Sequence, residues 1–218
     1  MRPRLLCLVL AVPLAARALC TSDQVAPPSA LLERFVNADC AECWRDRATP
    51  QPAAGTFAID WVVPGRRGDD APLSAVALDE ATERLQAVNR PVPERSDAVF
   101  ERLHGKSLPL RLAQGEAFND YIGTSIELAS PGREAWQPWL LLVEHLPAGT
   151  EGSPVERYLV RNVFRPDWHA PARRVGKLAE ERAMQIHAGA RPERLRLVAV
   201  LADSRGQIRA ISRTACSE

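Results

Sequence analysis

Lysine is nearly missing from this chain. Lys106 and Lys177 stand alone among 28 basic residues, and arginine supplies the rest, a coding bias rather than a binding surface. Neither sign of charge dominates: 28 basic against 27 acidic residues give +1, which predicts neither a nucleic-acid partner nor an anionic membrane. No apolar run is long enough to span a bilayer. The four histidines (His104, His145, His169 and His187) never fall at H-x-x-x-H spacing or close to a cysteine pair. With no second C-x-x-C either, a zinc site lacks its ligand set. There is no G-x-S-x-G to carry a serine nucleophile and no phosphate-cradling loop, the 12 glycines being scattered turn formers. No metal and no cofactor is expected. Internal repeats and low-complexity tracts are missing as well.

What is present begins at the N-terminus. Arg2 and Arg4 form a charged lead, residues 5–15 an apolar core, and Ala16-Arg17-Ala18 an A-x-A-type cleavage site. This pattern reads as a secretory signal peptide over 1–18. A lipid-modified Cys20 is disfavoured because Leu19 stands where a lipobox wants a small residue. Cleavage would remove Arg2, Arg4 and Arg17, leaving 25 basic against 27 acidic residues. About 200 residues then remain, enough chain for a real core. The mature protein is expected to be periplasmic or secreted.

Of five cysteines, Cys7 would leave with the signal, and Cys20, Cys40, Cys43 and Cys216 remain. An even number fits an oxidising compartment. Cys20 and Cys216 sit at opposite ends of the mature chain, and a disulfide between them would clasp the termini; two unpaired cysteines are the alternative. Cys40 and Cys43 form a C-x-x-C after the apolar run Leu31-Leu32-Glu33-Arg34-Phe35-Val36. Such a pair can cycle between dithiol and disulfide, supply half of a metal site, or act as a local staple. A strand that delivers the first sulfur to a helix N-terminus favours the first use, because unpaired N–H groups stabilise thiolate.

Along the chain, 31–36 and 56–63 read as strands, the second bounded by Gly55 and Pro64-Gly65. Thr49-Pro50-Gln51-Pro52 stops any helix begun at Trp44. Leu78, Ala81, Leu85 and Val88 recur at helical spacing and predict a helix over 75–89. Ser96 can cap a shorter helix carrying Val99, Phe100 and Leu103, closed by Gly105. Beyond it, 108–113, 124–129, 139–145, 158–164, 195–201 and 208–214 read as strands, the last two a hairpin turning at Asp203-Ser204-Arg205-Gly206. Trp136, Trp139, Trp168, Tyr158 and Phe164 suit core packing better than a ligand platform.

The strand-to-C-x-x-C arrangement resembles the thioredoxin superfamily. More of the chain resembles an exported thioredoxin-like family of bacteria known only as a domain of unknown function. The likeness is carried by residues 35–43, Ile59-Asp60-Trp61, Arg157-Tyr158-Leu159-Val160-Arg161-Asn162-Val163 and the closing hairpin over 195–213. It implies catalytic roles for Cys40 and Cys43, protein thiols or disulfides as partners, and a cis-proline facing the cysteines. Val92-Pro93 and Leu108-Pro109 are the candidates, with Pro109 preferred because it leads into a strand. Four residues depart from that pattern. Arg34 stands where a buried acid is expected, Ala41 and Glu42 replace Gly-Pro, and Asp39 with Glu42 opposes thiolate.

The expected fold class is therefore α+β: a degenerate thioredoxin-like α/β part over 31–105 packed with a β-sandwich-like domain over 106–218, after a lead-in at 19–30. The expected function is thiol–disulfide exchange through Cys40 and Cys43. Its rival is a non-enzymatic periplasmic binding or assembly module with a structural or vestigial disulfide.

Overall fold

Two runs, Leu140–Val143 and Leu195–Ala202, are apolar almost without interruption, the pattern of strands buried on both faces. Both lie where two sheets meet. The computed structural model describes residues 20–168 and 176–216, so the expected export segment at 1–18, Leu19 and His169 lie outside the described residues. The elements are β1 (Cys20–Thr21), β2 (Ala30–Asn37), α1 (Ala41–Trp44), β3 (Thr56–Val63), α2 (Asp79–Ala87), β4 (Ser96–Arg102), β5 (Leu110–Phe118) and β6 (Tyr121–Ala129). They continue as β7 (Trp136–Leu146), β8 (Arg157–Phe164), β9 (Lys177–Gln185), β10 (Leu195–Asp203), β11 (Ile208–Arg213) and β12 (Ala215–Cys216).

A seven-stranded sheet runs β11-β10-β7-β8-β3-β2-β4, and a five-stranded sheet runs β12-β1-β5-β6-β9. β2 and β3 are parallel in register from Ala30↔Thr56 to Asn37↔Val63, whereas β4 lies antiparallel on β2. The larger sheet curls until its edges approach. His104 N donates to Ile208 O at 2.7 Å and Leu108 N to Arg209 O at 3.0 Å. Arg213 on β11 reaches the ring of Phe57 on β3, although the order places them four strand spacings apart, about 19 Å in a flat sheet. The inner face of the curl holds Leu31, Phe35, Phe57, Ile59, Trp61, Trp139, Leu141, Val143, Val160, Val198 and Val200. α2 adds Ala81 and Leu85 to it. The outer face of β7 and β10 (Leu140, Leu142, Leu197, Ala199, Leu201) packs on Leu112, Ile126 and Leu128 of the second sheet.

These findings correct the expected fold class. Strand is the dominant element among the described residues, with α-helix confined to a four-residue α1 and a nine-residue α2, and no thioredoxin-like α/β part is formed. The proline-rich stretch after Trp44 prevents a crossover helix between β2 and β3. The segment expected as a second helix is β4, whose Val99, together with Leu103 just past its end, packs on the inner cluster. The seven-stranded sheet takes strands from both sides of residue 105, and β5, β6 and β9 leave it for the other sheet. Trp136, Trp139 and Trp168 are each buried.

Candidate functional site

β2 ends at Asn37, whose side chain organises the turn into the C-x-x-C. Its Oδ1 accepts from Asp39 N at 2.9 Å, and its Nδ2 donates to Pro93 O at 2.9 Å. Cys40 N then donates to Asn37 O at 2.9 Å, and one helical turn brings Cys43 back to Cys40. The two sulfurs are bonded, with the Cα atoms 5.3 Å apart. Cys40 is 4% and Cys43 6% exposed, and the pair packs with Val36 and Leu73.

The acids beside the pair have other work. Asp39 accepts from Arg66 N at 2.9 Å and Arg67 N at 3.3 Å, stapling the loop after β3. Gly65 lies so close beneath it that a Cβ there would overlap the Asp39 carboxylate. Glu42 is solvent-exposed and pairs with Arg95 at 2.9 Å. A hydrogen bond from its own backbone N–H holds its carboxyl below the ordinary value, slight desolvation opposes this, and Arg95 adds to the lowering. A cavity of about 540 Å³ opens at the carboxyl ends of β2 and β3 between Asn37, Asp39, Gly65, Arg66 and Pro93.

Beneath the C-x-x-C lies a buried ion cluster that residue spacing does not reveal. Arg34 and Asp60 are register partners on the parallel strands, bonded at 2.6 Å. Arg157 on β8 takes the other Asp60 oxygen at 2.6 Å, and Tyr158 N donates to Asp60 at 3.0 Å. Arg157 also donates to Trp44 O at 2.9 Å and Ser153 Oγ at 2.7 Å. Arg34 therefore does not leave the site without a buried acid, because Asp60 on the neighbouring strand supplies one. Two guanidiniums pair with it, one on each oxygen. The only signal in the sequence is Arg34 and Asp60 themselves, charges inside otherwise apolar strands. A second buried cluster inside the curl joins Glu33 to Arg84, with Trp61 Nε1 donating to Glu33 at 2.9 Å.

Pro109 does not face the cysteines as a cis-proline. No peptide bond among the described residues is cis. Pro109 is exposed, accepts from Ala129 N at 3.3 Å and leads into β5 of the smaller sheet. Cys20 and Cys216, register partners of β1 and β12, are disulfide-bonded across a separation of 196 residues. His145 stacks on Tyr158 and meets Glu156 at 2.7 Å. Among the described residues no group of three or more His, Cys, Asp or Glu is arranged to hold a metal ion. No helix among them is long and apolar enough to cross a membrane. In comparison with known proteins, no family model, curated protein or solved structure matches the chain.

Proposed function

We propose that the chain is an exported, non-enzymatic binding module in which both disulfides are structural. The observation that carries this reading is the burial of Cys40 and Cys43, the first capping and the second lying within a helix of only four residues. Burial penalises thiolate, and one helical turn adds little dipole to offset it. Trp44, the next residue, is fixed from below by Arg157 and through Nε1 to Glu151 O at 2.8 Å. Displacing Cys40 to admit a partner sulfur would strain that anchorage. Export is supported by the two disulfides, which persist in oxidising compartments, and by the charged-then-apolar N-terminus.

The test is the reduction potential of the Cys40–Cys43 pair, measured by thiol equilibration and mass spectrometry. A structural staple should sit below about −300 mV. Thiol–disulfide exchange is the second reading, favoured by the open cavity at the carboxyl ends of β2 and β3. In that case Cys43→Ala would accumulate mixed disulfides through Cys40, and the potential would lie at about −270 to −120 mV. Either result would replace the binding-module reading.

A further inference from the structure

The curled sheet has two mouths. α2 serves one of them: Leu78 N donates to Val62 O near the end of β3, and Arg84 reaches Glu33 and the Trp139 ring. The opposite mouth is open. There a cavity of about 220 Å³ is bounded by Phe57 of β3, Tyr158 of β8, His145 of β7, Arg196 and Val198 of β10, and Arg213 of β11. Barrel mouths of this kind are common ligand sites, although this one falls below the ~300 Å³ lower limit for drug-sized ligands.

Its walls divide into two chemistries. Phe57, Tyr158 and His145 form a row of rings, with centroids 4.6 Å apart for the first pair and 4.8 Å for the second. Facing them are two guanidiniums without carboxylate partners among the described residues. Arg213 lies 5.5 Å over Phe57, and Arg196 donates only to the backbone oxygens of Glu193 and Leu195. Glu156, the nearby acid, pairs with His145. Burial pushes the Tyr158 phenol up and Glu156 adds to that; Arg213 and Arg196 pull it back, so both cations lie within electrostatic reach of the ring.

Given the binding-module reading, we infer that this mouth binds a small aromatic carboxylate, its ring against the Phe57–Tyr158–His145 row and its carboxylate on Arg213 and Arg196. Two guanidiniums without carboxylate partners among the described residues select a negative group, since the planar fork matches a carboxylate. The ring row selects a flat apolar body. The volume admits one ring rather than several. A free aromatic acid and the C-terminal residue of a peptide share this chemistry, and the free acid fits the enclosed size better.

Titration calorimetry on the mature protein with both disulfides intact tests this. The probes are phenylacetate, phenethylamine, acetate and the tripeptide Gly-Gly-Phe. Phenylacetate should bind at least ten times more tightly than phenethylamine or acetate. Arg213→Gln should weaken it at least tenfold while leaving the melting temperature within 1–2 °C, because the half-buried guanidinium meets only a ring. If that variant fails to fold, Arg196→Gln carries the same expectation. Tighter binding of Gly-Gly-Phe, lost equally in the arginine variants, would support the pocket and identify a chain terminus as its source. No binding of either aromatic acid at 5 mM, or equal binding by the variants, would overturn the proposal. The redox measurement stands apart: a low potential with no binding removes this pocket alone, and binding with an active dithiol removes the binding-module reading alone.

Discussion

Arg157 sits over the indole of Trp44, its Cζ 4.3 Å from the ring centroid, and hydrogen-bonds that residue's carbonyl at 2.9 Å. One buried cation thereby ties the C-x-x-C turn to the sheet and neutralises Asp60. Burial pushes this guanidinium below its ordinary value, with Asp60 acting against that. Asp60 keeps Arg34 at 2.6 Å when Arg157 is removed, so the full cost of about 3–5 kcal/mol for an uncompensated buried charge does not apply. Arg157→Leu should instead cost about 1–3 kcal/mol in urea unfolding, the penalty for leaving the buried Trp44 O and Ser153 Oγ unpaired. The Cys40–Cys43 disulfide of the variant should also be reduced faster by dithiothreitol. A loss under about 1 kcal/mol, the level of an exposed pair, would mean that packing alone holds α1.

The clasp between Cys20 and Cys216 closes nearly the whole described chain. The chain-entropy model assigns a loop of this length about 5 kcal/mol. Cys216→Ser should accordingly lower the melting temperature by about 10–20 °C in calorimetry, at ~2–4 °C per kcal/mol for a chain of this size. An unchanged transition would show that the end strands β1 and β12 contribute nothing to cooperative stability.

Strands are legible in the sequence wherever apolar residues alternate or run together, as in β2, β3, β7, β10 and β11. β9 is not, because Lys177–Gln185 carries helix-forming residues and offers the core only buried Met184 and half-buried Leu178 as apolar contacts; its pairing with β6 along its full length overrides propensity. β4 reads as a helix because Val99, Phe100 and Leu103 also fit a helical stripe. In the fold Phe100 is more than half exposed while Val99 and Leu103 turn to the core. The curl of the large sheet is not legible at all. It depends on contacts such as His104 to Ile208, between segments a hundred residues apart. At the candidate site the cysteines are visible from spacing alone. Their support by Asp60 and Arg157 is not, since that pairing depends on register between β3 and β8.

Inside the curl, Glu101 stands beside the Glu33–Arg84 pair, 3.3 Å from Arg84. Burial raises its carboxyl above the ordinary value, Arg84 opposes the rise and Glu33 reinforces it. A carboxyl with a raised folded-state pKa binds its proton more tightly folded than unfolded. Its contribution is favourable below the unfolded value, about 4.3, and is lost as pH rises through the folded value. Glu101→Gln keeps the acceptor for Arg84 and removes the charge. The variant should melt a few degrees above the parent at pH 7, with the gap closing as pH falls below 4. A variant less stable than the parent at pH 7 would show that attraction to Arg84 outweighs burial.

Gly65 sits where the loop after β3 is held against the C-x-x-C. Its φ does not lie in the left-handed region, so backbone freedom is not the reason for glycine here. Space is. A Cβ would overlap the Asp39 carboxylate and come within 2.8 Å of Asn37 Oδ1. Asp39 cannot swing aside without releasing Arg66 N and Arg67 N, and Asn37 cannot without releasing Asp39 N and Pro93 O. Gly65→Ala should therefore destabilise by about 1–3 kcal/mol, the usual cost of overpacking. In an Asp39→Ala background most of the obstruction is gone, and the same substitution should cost far less. Urea unfolding of the four proteins in that cycle should give a coupling of about 1–2 kcal/mol. Additive losses would mean that Asp39 is not what excludes the methyl group, and that the loop yields more readily than its hydrogen bonds imply.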